Sequence, residues 1–215
     1  MLKNKLILIS AAFALGLLIF SGCSALKQIA SSIENAQRLK FKLGAVNNFR
    51  LAGINISNKS SIKDVSVSDA FKLTNAFATK KFPADFILNV DAMNPNSNTA
   101  NSGSTNTNST AKLTGFEWRL LIDDIPTIYG NIAEPVTIPG NGQTVAIPLS
   151  VSLDLYEFFG SQGYDRIANL AMAIGGVNGS SSRIKLDAKP TVTIGTFPIT
   201  YPGRITIVNT EFRDK

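Results

Sequence analysis

From Thr144 to Leu155 apolar and polar side chains alternate without error: Val145, Ile147, Leu149, Val151, Leu153 and Leu155 against Thr144, Ala146, Pro148, Ser150, Ser152 and Asp154. A period of two puts each set on its own face of an extended strand, and no helix can sort them this way. A strand with one apolar face needs a second layer to cover it. The same alternation recurs in Phe86, Leu88, Val90 and Ala92, and again in Phe116, Trp118, Leu120 and Ile122. Between Phe41 and Lys215 many short runs rich in Val, Ile, Thr and Phe are punctuated by Gly, Pro and Asn. That composition is expected of a mainly β chain, a sandwich or a barrel.

The remaining elements follow from local chemistry. Phe41 and Leu43 alternate with Lys40 and Lys42, and Phe49, Leu51, Ile54 and Ile56 continue the strand with a register break near Gly53, expected as a bulge or bend. A short helix is expected over Ser68–Lys80, capped by Ser68 or Asp69, with Leu73, Phe77 and Ala78 on one side. Pro83 ends it and starts the next strand. Asp123-Asp124 reads as a turn, after which Ile128, Gly130 and Ile132 share one face of Ile125–Ile138. Gly140-Asn141-Gly142 is a hairpin signal, because these residues accept positive φ. Pro148 donates no amide hydrogen, which predicts an exposed sheet edge around it. Tyr164, Ile167, Ala168, Ala171 and Ile174 recur at helical spacing, Gly175-Gly176 closes that helix, and it is expected to pack over one end of a sandwich. Ile184–Ile194 and Phe197–Val208 complete the sheet pattern.

Residues 94–110 are different. Asn94–Thr110 carries no charge and almost no apolar side chain. Such a segment has nothing to bury against its ordering entropy, so it reads as a mobile loop inserted between strands.

The N-terminus has three parts. Lys3 and Lys5 precede an uncharged apolar run, Leu6–Phe20, which ends in the small residues Ser21 and Gly22 before Cys23. This is the pattern of a secretory signal peptide, and the run falls short of the ~20 residues a transmembrane helix needs. An uncleaved N-terminal anchor is the alternative. Phe20-Ser21-Gly22-Cys23 resembles the bacterial lipobox, with Phe20 departing from the usual leucine. The resemblance implies cleavage between Gly22 and Cys23 and acylation of the Cys23 sulfur, anchoring the protein to a membrane. Cys23 is the sole cysteine, so it has no internal disulfide partner. Ser24 resembles outer-membrane sorting, and Ser24–Gln28 lacks the acidic cluster of surface-displayed lipoproteins. The periplasmic face of an outer membrane is therefore expected. Residues 1–22 are thus read as signal, 23–39 as a polar, helix-compatible tether and 40–215 as one domain. Removing residues 1–22 from the 215 leaves 193, enough for one core of ordinary size.

Within that domain, Phe86–Asn96 runs a strand into Asn94-Pro95-Asn96. It is followed by Phe116–Ile122, the Asp123-Asp124-Ile125-Pro126 turn, Tyr129-Gly130, and the Ile138-Pro139-Gly140 step into Val145–Leu155. This ordered set resembles the water stress and hypersensitive response (WHy) domain of group 2 late embryogenesis abundant proteins, most closely over residues 41–155. The long Asn/Ser/Thr loop departs from that family. Membership implies a seven-stranded, immunoglobulin- or fibronectin-III-like β-sandwich without catalytic residues, and a role in protecting proteins or membranes under water stress. Asn94 and Asn96 read first as strand-end residues, their amides bonding local backbone, and otherwise as binding candidates.

Chemistry narrows function further. The chain has no histidine, and its one cysteine is assigned to lipid. That removes Ser-His-Asp and Cys-His catalysis and metal sites of imidazole or thiolate. No P-loop run is present, and no cofactor is expected. Paired carboxylates are the one enzymatic route left, but Asp123-Asp124 sit in a turn and Glu117 on the polar side of a strand. The formal charge of +6 falls to +4 when Lys3 and Lys5 leave, and the basic residues are scattered, so nucleic acid is not an expected partner. A carbohydrate- or partner-binding envelope module is the rival to a protective one. Sugar sites use exposed rings, however, and Trp118 is in phase with Phe116, Leu120 and Ile122.

Overall fold

The computed structural model describes residues 30–96, 110–177, 179–194 and 197–209, with the side chain of Phe197 outside that description. Residues 22 and 23, and the loop 97–109, lie outside the described residues.

Among the described residues ten strands form two antiparallel sheets. One holds β2 (Ile54–Asn55), β1 (Lys40–Leu51), β3 (Pro83–Met93) and β7 (Thr144–Asp154), in that spatial order. The other runs β10 (Ile205–Ile207), β8 (Ile184–Ile194), β4 (Ala111–Ile122) and β5 (Ile125–Gly130), with β6 (Val136–Ile138) also on β4 and β9 (Phe197–Thr200) also on β8. Because β5 and β6 share one side of β4, and β9 and β10 one side of β8, the second sheet has four strand positions. The first has three, plus the two-residue β2. Among the described residues the two sheets thus hold seven strand positions beside β2, two of them broken in the middle.

The alternation decides which face is inside. Along β3, Ala84, Phe86, Leu88, Val90 and Ala92 are buried, and along β4 so are Phe116, Trp118, Leu120 and Ile122. Phe41 of β1 meets Phe116 of β4 with ring centroids 5.7 Å apart, so the apolar faces close on each other as a β-sandwich. β7 pairs with β3 in unbroken register from Pro83↔Asp154 to Met93↔Thr144, and its other side is unpaired. The exposed edge expected at Pro148 is there.

Several boundaries differ from the sequence reading. Near Gly53 there is no bulge: Ala52 and Gly53 both have positive φ, 47° and 78°, forming the tight turn of the β1–β2 hairpin. The register shifts lie inside β1, between Leu43 and Val46 and between Asn47 and Arg50. The alternation of Val145–Leu155 runs one residue too far, because Asp154 ends the strand. Its carboxylate accepts from Tyr156 N at 2.9 Å, capping α3 (Leu155–Phe159), and from Phe82 N at 2.8 Å. The helix expected over Ser68–Lys80 is α2 (Val67–Ala78), capped by Ser66 rather than by Ser68 or Asp69. Ser66 lies outside the helix, where its hydroxyl accepts from Asp69 N at 3.1 Å. Leu73 is buried, but Ala78 faces solvent and Ala76 packs in its place.

The tether is more than a tether at its described end. Residues 30–37 are helical (α1), with Ser32 and Ala36 buried, and Leu39 just beyond is buried as well. Tyr201 donates its hydroxyl to Ala36 O, and Asn96 Nδ2 donates to Asn35 O at 2.9 Å. α1 therefore docks at the sandwich end where β3 finishes, and α2 occupies the opposite end. The helix at Tyr164 is α4 (Tyr164–Gly175), and it lies along the β1 side of the sandwich rather than over one end. Gly175 permits this. A Cβ there would stand 2.1 Å from the Phe49 ring, so the glycine serves a close approach rather than a turn.

Candidate functional site

Asn94 and Asn96 are buried and interlocked. Asn94 Nδ2 donates to Ile138 O at 3.2 Å, while its Oδ1 accepts from Asn96 N at 3.1 Å and from Asn96 Nδ2 at 2.9 Å. Their carbonyls take the amides of the hairpin: Asn141 N donates to Asn96 O at 2.9 Å and Gly142 N to Asn94 O at 2.8 Å. With the bond to Asn35, this clasp ties the end of β3 to the β6–β7 turn and to α1. Both amide nitrogens and Asn94 Oδ1 bond within the fold, as strand-end residues do, while Asn96 Oδ1 is buried with no partner among the described residues.

Trp118 is 4% exposed, packed where a Cβ on Gly130 would fall 2.4 Å from its ring. It therefore offers no platform to a sugar.

The carboxylates of the turn face cations. Asp123 receives Arg183 through both oxygens, with Nε to Oδ1 at 2.7 Å, and Asp124 receives Lys185 at 2.5 Å. Glu117 stands 4.0 Å from Arg204, which also reaches Asp187 at 3.3 Å. The positive φ of Asp123 and Asp124, 50° and 65°, makes the tight turn that brings both beside the start of β8. These pairs tie the turn after β4 to the start of β8. Among the described residues no three Asp or Glu side chains gather as a metal ligand set would require.

A site the sequence did not announce lies on the outer face of the first sheet. A groove of about 630 Å³ is floored by Asn47, Ile87, Asn89 and Pro148 and walled by Ser57 and the glycine-rich turn after α4. The register Asn47↔Ile87 and Asn89↔Pro148 sets these four on adjacent strands. The wall is fixed by Val177 N, which donates to Lys59 O at 2.8 Å, and by Ser57 Oγ, which accepts from Phe49 N at 3.0 Å. The second register shift of β1 turns Asn48 toward the groove with φ of 54°, a conformation asparagine tolerates better than most residues. These residues are scattered from Val46 to Gly179 and meet only through sheet register, so no motif marks them in the sequence.

Opposite α1, helix α2 turns Phe77 inward against Tyr156, Tyr164 and Phe82, with centroids 5.2, 5.7 and 6.2 Å away. Burial pushes the Tyr164 phenol above its ordinary value, offset in part by its hydrogen bond with Thr74. Outward, Val67 and Phe71 are 90% and 75% exposed.

No family model matches the chain, and no curated protein matches it. It is similar to two solved structures. One, a crystal structure of a protein from Archaeoglobus fulgidus, is 11% identical at a TM-score of 0.32, with 81% of this chain and 98% of that one covered. The other, an X-ray structure of the Northeast Structural Genomics Consortium target SoR45, is 8% identical at a TM-score of 0.38, with 80% and 88% covered.

Proposed function

We propose that the chain is a non-catalytic envelope lipoprotein whose β-sandwich works, in a protective or structural role, at the membrane to which Cys23 fastens it. The supporting observation is the docking of α1. Residue 30 is seven steps along the chain from Cys23, a reach of at most ~25 Å even fully extended. With α1 held by Tyr201 and the Asn94–Asn96 clasp, a lipid on Cys23 keeps the domain close to the bilayer. An acylated cysteine with two or three chains stays there, since each buried methylene contributes about 0.8 kcal/mol. The resemblance to the WHy domain supplies the protective role, and the periplasmic face of an outer membrane is its proposed location.

The test uses the mature lipoprotein in vesicles. At equimolar ratio it slows aggregation of a labile enzyme through freezing or drying, and does so better than serum albumin at the same concentration. It shows no hydrolysis on ester and polysaccharide panels. Protection no better than albumin, or turnover of any substrate in those panels, overturns the reading.

A further inference from the structure

We propose that the groove on the outer face of the first sheet is a binding site for a neutral, polyhydroxylated ligand of the oligosaccharide class. Three amides, those of Asn47, Asn48 and Asn89, line it, and none of them is hydrogen-bonded within the described residues. Asparagines at strand ends and turns, such as Asn94, Asn96 and Asn131, bond backbone, whereas in the groove three amides from two adjacent strands converge on one space. An amide offers a donor and an acceptor side by side, the pair that a vicinal diol matches. Among the described residues no charged side chain lines the groove, so an anionic or cationic ligand finds no counter-charge among them. The described lining has no aromatic ring, so the apolar surface offered to the C–H face of a sugar comes from Ile87, Pro148 and Val177, and recognition falls to the amides rather than to ring stacking.

A peptide fits less well. An extended peptide binds by adding to a sheet edge through main-chain bonds; the nearby edge of β1 is already engaged, and the open edge of β7 meets the groove at Pro148, which has no N–H to give to a ladder. Phe49 gives its N–H to Ser57 and its carbonyl to Ile56, and Gly44 O accepts from Ser181 Oγ at 3.0 Å. What the groove presents is side-chain amides from three positions, not a ladder. The site stands independently of the lipid anchor and of the protective role.

The test follows the asparagine side-chain amides by NMR in the mature protein, labelled with ¹⁵N-asparagine, as maltotriose, N-acetylchitotriose or an uncharged Gly-Ser peptide is added. Saturable shifts of Asn47, Asn48 and Asn89 with at least one of the two sugars and not with the peptide are expected. Asn89→Ala, and separately Asn47→Ala, should weaken that binding about tenfold, the loss of one well-placed hydrogen bond, with an unchanged melting temperature. Absence of saturable shifts with both sugars up to ~20 mM, about twentyfold above a millimolar Kd, overturns the proposal. So does equal binding of the peptide, or sugar binding that both variants leave intact.

Discussion

At the scale of single residues, the clasp of Asn94 and Asn96 carries more of the fold than its polarity suggests. Asn94 is fully buried and bonded to Ile138 O and to both nitrogens of Asn96. Asn94→Ala should therefore cost about 1–3 kcal/mol, since it strands Ile138 O and Asn96 N without partners in a dry site. Urea unfolding measures it. A loss below ~0.5 kcal/mol would show that the amide makes no net contribution. Much at this scale is readable from sequence: the phase of Trp118 places it inside, and Asn-Pro-Asn reads as a strand end. The partners are not readable. Asn35, Ile138 and Asn141 reach the clasp from separate elements, and nothing local in their neighbours records that meeting.

Among the elements, strands with strict alternation are legible and interrupted ones are not. β3, β7 and β8 follow their patterns closely because one face of each is buried without interruption, and β4 does so from Phe116 onward, past its register shift between Leu113 and Gly115. β1 departs because two register shifts within Leu43–Arg50 break its period, and those shifts form the groove. Composition does not reveal the docking of α1: it is polar, yet Ser32 and Ala36 face inward and Tyr201 and Asn96 bond its carbonyls. A chain beginning at Lys40 loses Ala36 and Leu39 from the core along with those bonds. It should be less stable than one beginning at Ser24 by about 2–4 kcal/mol, taking area removed from water and two hydrogen bonds. Equal denaturation midpoints for the two chains would show that α1 is not docked. The aromatic contacts beneath α2 add a pH dependence. Because burial raises Tyr164 above the value it has unfolded, its contribution is complete below the unfolded value and is lost as pH rises through the folded one. Alkaline unfolding should start in that window and shift upward in Tyr164→Phe. An identical alkaline midpoint in the variant would remove Tyr164 from the account.

For the molecule as a whole, α1 and α2 sit at opposite ends of a sandwich whose β3 runs eleven residues, a separation of about 35 Å at the rise of an extended strand. A domain fastened through α1 thus presents the exposed Val67 and Phe71 of α2 away from the anchored end, and the groove on its flank. That arrangement depends on lipid at Cys23. The direct measurement is metabolic labelling with an alkyne fatty acid, together with the mass of the N-terminal peptide, in the wild type and in Cys23→Ala. The expected result is a mature chain starting at Cys23, acylated, with the label abolished by the substitution. Label that survives Cys23→Ala, or a chain that keeps residues 1–22 uncut, would contradict it.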